Sequence, residues 1–220
     1  MRRFLILLLI FTIYGVSSAQ VPYFSSAPGN SNLYGYTSAK FRPGTNNIES
    51  YSTFQYGITD YFAAGTDIYT AGGESFWGFM LRAGYKTSKW FGIGCTVTPS
   101  FDLGENFKFS YLTSGIFMNG NILDNGSLFW CTNTWLTINR GSTYSINQFS
   151  YIGYSFSIKK HDHITPMVGL DHDWEFKKNP DIAAGAYYSH GVWNIYIWGN
   201  DFCKKYPRFV VGVDFKFSTK

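Results

Sequence analysis

Between residues 33 and 217 apolar side chains alternate with small or polar ones at a period of two, the repeat of a β-strand with one apolar and one wetted face. In the last such segment Phe209, Val211, Val213, Phe215 and Phe217 interleave with Arg208, Val210, Gly212, Asp214 and Lys216. Earlier, Phe91, Ile93, Cys95, Val97, Phe101 and Leu103 oppose Gly92, Gly94, Thr96, Thr98, Ser100 and Asp102, while Trp77, Phe79, Leu81 and Ala83 oppose Gly78, Met80, Arg82 and Gly84. Further on, Ile164, Val168, Leu170, Trp174 and Phe176 oppose Thr165, Gly169, Asp171, Asp173, Glu175 and Lys177.

The pattern predicts strands near 33–41, 48–58, 61–69, 76–86, 90–103, 107–119, 127–140, 143–159, 164–177, 181–189, 192–200 and 207–217, twelve in all. Turn-forming residues punctuate them: Pro43-Gly44, Thr59-Asp60, Gly72-Gly73, Asp124-Asn125-Gly126, Asn179-Pro180 and Ser189-His190-Gly191. Pro99 and Pro166 fall inside two of these strands, and each removes a ladder donor, so a bulge or strand end is expected beside each.

The N-terminus separates a soluble sandwich from a membrane wall. Arg2 and Arg3 precede an apolar run from Phe4 to Val16, and Ser17-Ser18-Ala19 follows with the small residues of a cleavage site, so 1–19 reads as a secretory signal peptide. That run, about 13 residues, is short of the ~20 needed for a spanning helix. Strands of about nine to fourteen residues, in contrast, suit a tilted crossing of ~25–30 Å of hydrocarbon.

Composition points the same way. Aromatics make up 20% of the 220 residues and charged residues 15%, with 23 glycines, a balance suited to a lipid-facing wall. A net charge of +4 with scattered basic residues excludes a nucleic-acid footprint. Cys95, Cys131 and Cys203 lack the paired spacing of a zinc or redox site. The expected fold is all-β: a single antiparallel up-and-down transmembrane barrel of about twelve strands over 33–220, preceded by an extended tail at 20–32. A merged or split segment would make the count ten or fourteen. With both termini periplasmic, the connections near 59–60, 87–89, 119–126, 160–163 and 190–191 become periplasmic turns. Aromatics near segment ends (Tyr61-Phe62, Tyr85, Trp90-Phe91, Tyr187-Tyr188, Phe215 and Phe217) match interfacial girdles.

The segment Gln55-Tyr56-Gly57-Ile58-Thr59-Asp60-Tyr61-Phe62-Ala63-Ala64-Gly65 resembles a hairpin of bacterial outer-membrane barrels of the transporter-like kind, including the family named for a phenol-degradation pathway. The chain departs from the barrel pattern in placing Ser218-Thr219-Lys220 after Phe217. The resemblance implies location in the bacterial outer membrane, contact with its lipid, delivery by the barrel assembly machinery, and action as a passive channel or transporter for small solutes. A non-conducting structural or adhesion barrel is the alternative from another class.

By phase, the inward, pore-lining charges are Glu49, Asp67, Arg82, Asp102, Asp171, Asp173, Glu175, Arg208, Asp214 and Lys216. Asp171, Asp173 and Glu175 would favour cations if unpaired, and Arg82, Arg208 and Lys216 would balance them. Tyr51, Trp135, Tyr187, Tyr196 and Trp198 also project inward and narrow the lumen. Strand geometry splits the ligand-like run Asp171-His172-Asp173-Trp174-Glu175, sending His172 to the lipid side. His161 and His163, with Asp162, lack a third fixed ligand, so neither metal nor cofactor is expected. A lipid-face hydrolase would need His172 beside a serine such as Ser150, and no Gly-x-Ser-x-Gly elbow is present.

Overall fold

The structure, a computed structural model, describes residues 29–141, 143–173 and 180–219. Its strands are β1 (Asn32–Phe41), β2 (Ile48–Gly57), β3 (Phe62–Ala71), β4 (Glu74–Lys86), β5 (Gly92–Asp102), β6 (Lys108–Asn121) and β7 (Leu128–Asn139). They continue as β8 (Tyr144–Tyr154), β9 (Phe156–Lys159), β10 (Asp162–Asp173), β11 (Asp181–His190), β12 (Trp193–Asn200) and β13 (Arg208–Ser218). β8 and β9 are two pieces of one wall strand, both pairing with β10. Each strand pairs antiparallel with its chain neighbour, and β1 pairs with β13 from Asn32↔Ser218 to Phe41↔Phe209, which closes a twelve-stranded barrel.

The β1–β13 pairing leaves the main wall without an open edge, which lipid requires because hydrocarbon offers no partner to an open N–H or C=O, and only the short β9 extension has a strand neighbour on one side alone, β10. The strand phases follow the sequence. Thr96, Thr98 and Ser100 are buried toward the lumen while Ile93, Cys95 and Val97 lie exposed on the outer wall. Phe54, Leu81, Ile116, Ile152, Val168 and Ile197 share that outer surface, an apolar belt that a lipid phase covers. Aromatic groups ring both ends of the belt. Tyr61 with Tyr85 (5.4 Å between ring centroids) and Trp193 with Phe217 (5.6 Å) lie at the end carrying both termini. Trp77 with Phe101 (6.2 Å) and Phe41 with Phe209 (6.0 Å) lie at the other.

Both prolines interrupt the ladder. Beside Pro99 the β4–β5 pairing lapses between Gly78↔Ser100 and Leu81↔Val97, and the β5–β6 register shifts between Ser100 and Phe101. Opposite Pro166, which has no N–H to donate, the β8–β10 ladder stops at Met167↔Gly153 and resumes as β9 at Ile164↔Phe156. Ser155 occupies the gap, and Thr165 Oγ1 donates to its hydroxyl at 3.1 Å.

Most strand boundaries shift by one or two residues from the sequence reading, the expected 143–159 strand divides into β8 and β9, and three differences bear on the rims. β10 begins at Asp162, so His163 belongs to a strand rather than to a turn. Within the expected tail, Ser31 N donates to Gly57 O (2.8 Å) and Thr219 N to Ser31 O (2.8 Å), which makes residue 31 part of the rim. β6 runs to Asn121, past the expected end at 119, because Asn121 N finds Lys89 O at 2.9 Å. The signal-peptide segment, most of the tail and the expected strand extension over 174–177 lie outside the described residues.

Candidate functional site in the barrel lumen

Two layers fill the lumen. Toward the end opposite the termini lies a cavity of about 470 Å³, into which Tyr51, Trp135, Tyr187, Tyr196 and Trp198 project, as their phases require. Its charged lining side chains are Lys40, Asp67, Asp171 and Arg208. Arg208 Nη2 lies 3.1 Å from Asp171 Oδ2, and Asn200 ties the pair together by donating to Asp171 Oδ2 (2.8 Å) and accepting from Arg208 Nε (2.9 Å). Lys40 Nζ is 3.7 Å from Glu49, which also accepts from Tyr69 OH at 3.0 Å. Asp67 accepts from Tyr51 OH at 2.7 Å.

Toward the terminal end the lumen is packed. Arg82, 6% exposed, lies with its guanidinium carbon 5.0 Å from the Phe117 ring centroid and donates through Nη1 to Gln55 Oε1 at 3.4 Å. Tyr34, Gln55, Phe117 and Asn194 are buried in the same half, and Asp214, with 0% exposure, accepts from Asn194 Nδ2 at 2.5 Å. Gly115 makes room where this layer meets the cavity: a Cβ there would stand 2.8 Å from Cζ of Phe117 in the septum and 2.9 Å from Cζ3 of the cavity-lining Trp135. Lys216 faces the lumen half-buried near the terminal rim. Burying so many polar groups is tolerable only with partners. The cavity ends at this septum, whose Arg82, Gln55 and Asp214 are not among its lining.

Of the ten charges assigned to the pore by phase, Asp67, Asp171 and Arg208 line the cavity and Glu49 stands behind its lining residue Lys40, while Arg82, Asp214 and Lys216 lie in the terminal half. Asp102 is diverted at its strand end, where Oδ1 accepts from Gly104 N (2.7 Å) and Glu105 N (3.3 Å) of the following turn. Asp173 stands in β10 opposite Asn147, and Glu175 lies outside the described residues. Lys40, Gln55, Phe117, Asn194 and Asn200 were not singled out by sequence. Their only signal is an inward phase, which neutral and paired residues share with every other lumen position.

At the rim opposite the termini, the loop 201–207 is fastened by a second charged group. Asp201 binds Arg42 Nη2 (2.6 Å) and Lys204 Nζ (2.5 Å), and Lys204 also reaches Asp181 (3.0 Å). Burial pushes the Asp201 carboxyl upward, but hydrogen bonds from Lys204 and Arg42 outweigh it and hold the group well below the usual carboxylate range. The hydrogen bonds from Lys204 to Asp201 and Asp181 raise the ammonium above its ordinary value.

No group of His, Cys, Asp and Glu able to hold a metal occurs among the described residues. His163 Nδ1 meets Ser157 Oγ at 3.2 Å, and Asp162 pairs with His190 Nδ1 at 2.5 Å. On the lipid face His172 stands opposite Gln148, and Ser150 opposite Leu170. The Ser150 hydroxyl is taken up by Thr132 Oγ1 (2.7 Å) and Gln148 Nε2 (3.1 Å).

The chain matches no protein-family model and no curated protein sequence. Its fold does have solved counterparts. The KdgM porin is similar with a TM-score of 0.59 at 14% identity, over 84% of this chain and 99% of that one. A KdgM porin in complex with disordered oligogalacturonate gives 0.58 at 13% identity over 84% and 99%. The NanC porin gives 0.55 at 10% identity over 83% and 100%. The fold is thus that of outer-membrane porin barrels, and the apolar belt with its two aromatic girdles is the surface that such a barrel presents to lipid.

Proposed function

We propose that this protein is an outer-membrane channel for small solutes. The observation that carries the reading is the inversion of its faces: a closed barrel with an apolar exterior and a polar interior containing a cavity of about 470 Å³. A soluble carrier would turn its apolar faces inward. The Arg82 layer is then the constriction, because the cavity stops there and the guanidinium is held on Phe117. Kinship to the phenol-degradation-pathway barrels, carried by the hairpin at residues 55–65, belongs to the same reading, since it too implies a transporter-like role.

The test is single-channel conductance in planar bilayers for the wild type and Arg82→Ser. The wild type is expected to give small steps and the variant steps several-fold larger. A folded barrel that conducts in neither form would overturn the channel and leave a structural barrel. Equal conductance in both would move the constriction away from Arg82.

A further inference from the structure

We propose that the vestibule of this barrel accepts neutral, polyhydroxylated ring solutes, namely short uncharged saccharides, in preference to acidic ones. The inference deepens the channel reading by naming its solute class.

Charge is the first argument. The four charged lining side chains are two cations and two anions, and each is engaged within the wall: Arg208 with Asp171 and Asn200, Lys40 with Glu49, Asp67 with Tyr51. An acidic solute would have to displace Asp171 from Arg208 or Glu49 from Lys40, leaving a wall carboxylate without its partner. A cationic solute would have to displace Arg208 from Asp171 or Lys40 from Glu49, whereas at Asp67 the wall partner is the neutral Tyr51 hydroxyl. A solute without charge disturbs none of these pairs.

The neutral lining supplies what such a solute needs. Ser38, Ser100, Asn133, Asn147 and Asn200 line the cavity with hydroxyl and amide groups that both donate and accept. A sugar hydroxyl also does both, so the match is reciprocal. Around the same space stand aromatic rings on separate parts of the wall: Tyr36 and Tyr51 on β1 and β2, Trp135 on β7, Phe149 on β8 and Trp198 on β12. Their anchorage is firm, since Tyr36 and Tyr51 lie 5.2 Å apart between centroids and Phe149 meets Trp198 edge-on at 5.2 Å. A pyranose presents C–H faces to rings of this kind and hydroxyls around its edge, which combines the two classes of lining group. A flat aromatic solute would satisfy the rings and strip water from the amides without replacing it. The cavity, about 470 Å³, falls within the ~300–1,000 Å³ range of small-ligand pockets.

The experiment is isothermal titration of the full chain, folded in detergent micelles, with maltotriose, trigalacturonic acid and phenol. Trp135→Leu and Asn147→Leu are measured beside the wild type, and a heat-dependent shift in gel mobility certifies the fold of each. Maltotriose is expected to bind, with trigalacturonic acid and phenol at least tenfold weaker. Trp135→Leu should weaken maltotriose by about tenfold and Asn147→Leu by several-fold. If Trp135→Leu does not fold, Asn147→Leu alone decides. The proposal is overturned if trigalacturonic acid or phenol binds as tightly as maltotriose, if none of the three binds, or if the folded variants bind maltotriose like the wild type. Maltotriose binding without bilayer current would fell the channel and leave this inference standing; current without saccharide binding would do the reverse.

Discussion

Asp201 shows how single residues fix the rim. It adopts a left-handed backbone (φ 61°), and its carboxylate binds both Arg42, which follows β1, and Lys204 of its own loop. Asparagine tolerates the same φ, so Asp201→Asn removes the charge with little backbone penalty. Because the folded carboxyl is held below its ordinary value, its contribution is present above the usual carboxylate range near ~3.9 and is lost as the pH falls through the depressed folded value. Asp201→Asn is therefore expected to lower the unfolding temperature at pH 7. The gap from wild type should stay level between about pH 5 and 9 and close as acid protonates the wild-type carboxyl. Thermal scans at stepped pH measure it, and a gap that widens toward acid would contradict the assignment. At this scale the sequence is least explicit. Arg208 and Asp171 are both inward by phase, but their meeting across Asn200 joins residues on β10, β12 and β13.

For a strand, the governing fact is that one step along the chain moves a side chain from lipid to lumen. Ile195, 58% exposed, faces lipid from β12, whereas Thr137 faces the vestibule from β7. Ile195→Arg is expected to destabilise the barrel by ~2–4 kcal/mol in lipid, the cost of a cation near the midplane. Thr137→Arg should change stability far less, because its charge ends in a wetted cavity. Urea unfolding of both variants in lipid vesicles checks the contrast, and equal losses would mean that the face assignment is wrong. Strand bounds were legible to within a few residues because the period-two pattern is local. The expected irregularities at Pro99 and Pro166 were also legible, since a missing N–H is a property of the residue itself. The β8–β9 break was legible only as a disturbance near Pro166: the gap opens on the partner strand, at Ser155.

Across the whole molecule, closure rests on the β1–β13 seam, among the described residues the one strand pairing that joins segments far apart in sequence. Thr37 lies opposite Val213 in that seam, both on the outer face. Directly opposed Cβ atoms stand ~4.5–5.5 Å apart, close to the reach of a disulfide. With the three native cysteines replaced by serine, Thr37→Cys combined with Val213→Cys should cross-link under mild oxidation. The same cysteine at 37 with Ile195→Cys, one strand further on, should not. Mass spectrometry of the oxidised, folded protein reads both, and cross-linking of the second pair instead would disprove the register.

By itself the sequence determined the all-β class, the strands, their faces and the lumen aromatics, because these follow from alternation along one strand and need no knowledge of its neighbours. Tertiary structure alone decided the closing register, the Asp171–Asn200–Arg208 group and the Arg82–Phe117 septum. Each joins side chains on different strands, so its geometry is set by strand register and closure rather than by any spacing along one strand. Likewise, Arg82, Arg208 and Lys216 were all expected to balance the lumen carboxylates, and only the folded wall decided that Arg208 is the one brought within 3.1 Å of Asp171.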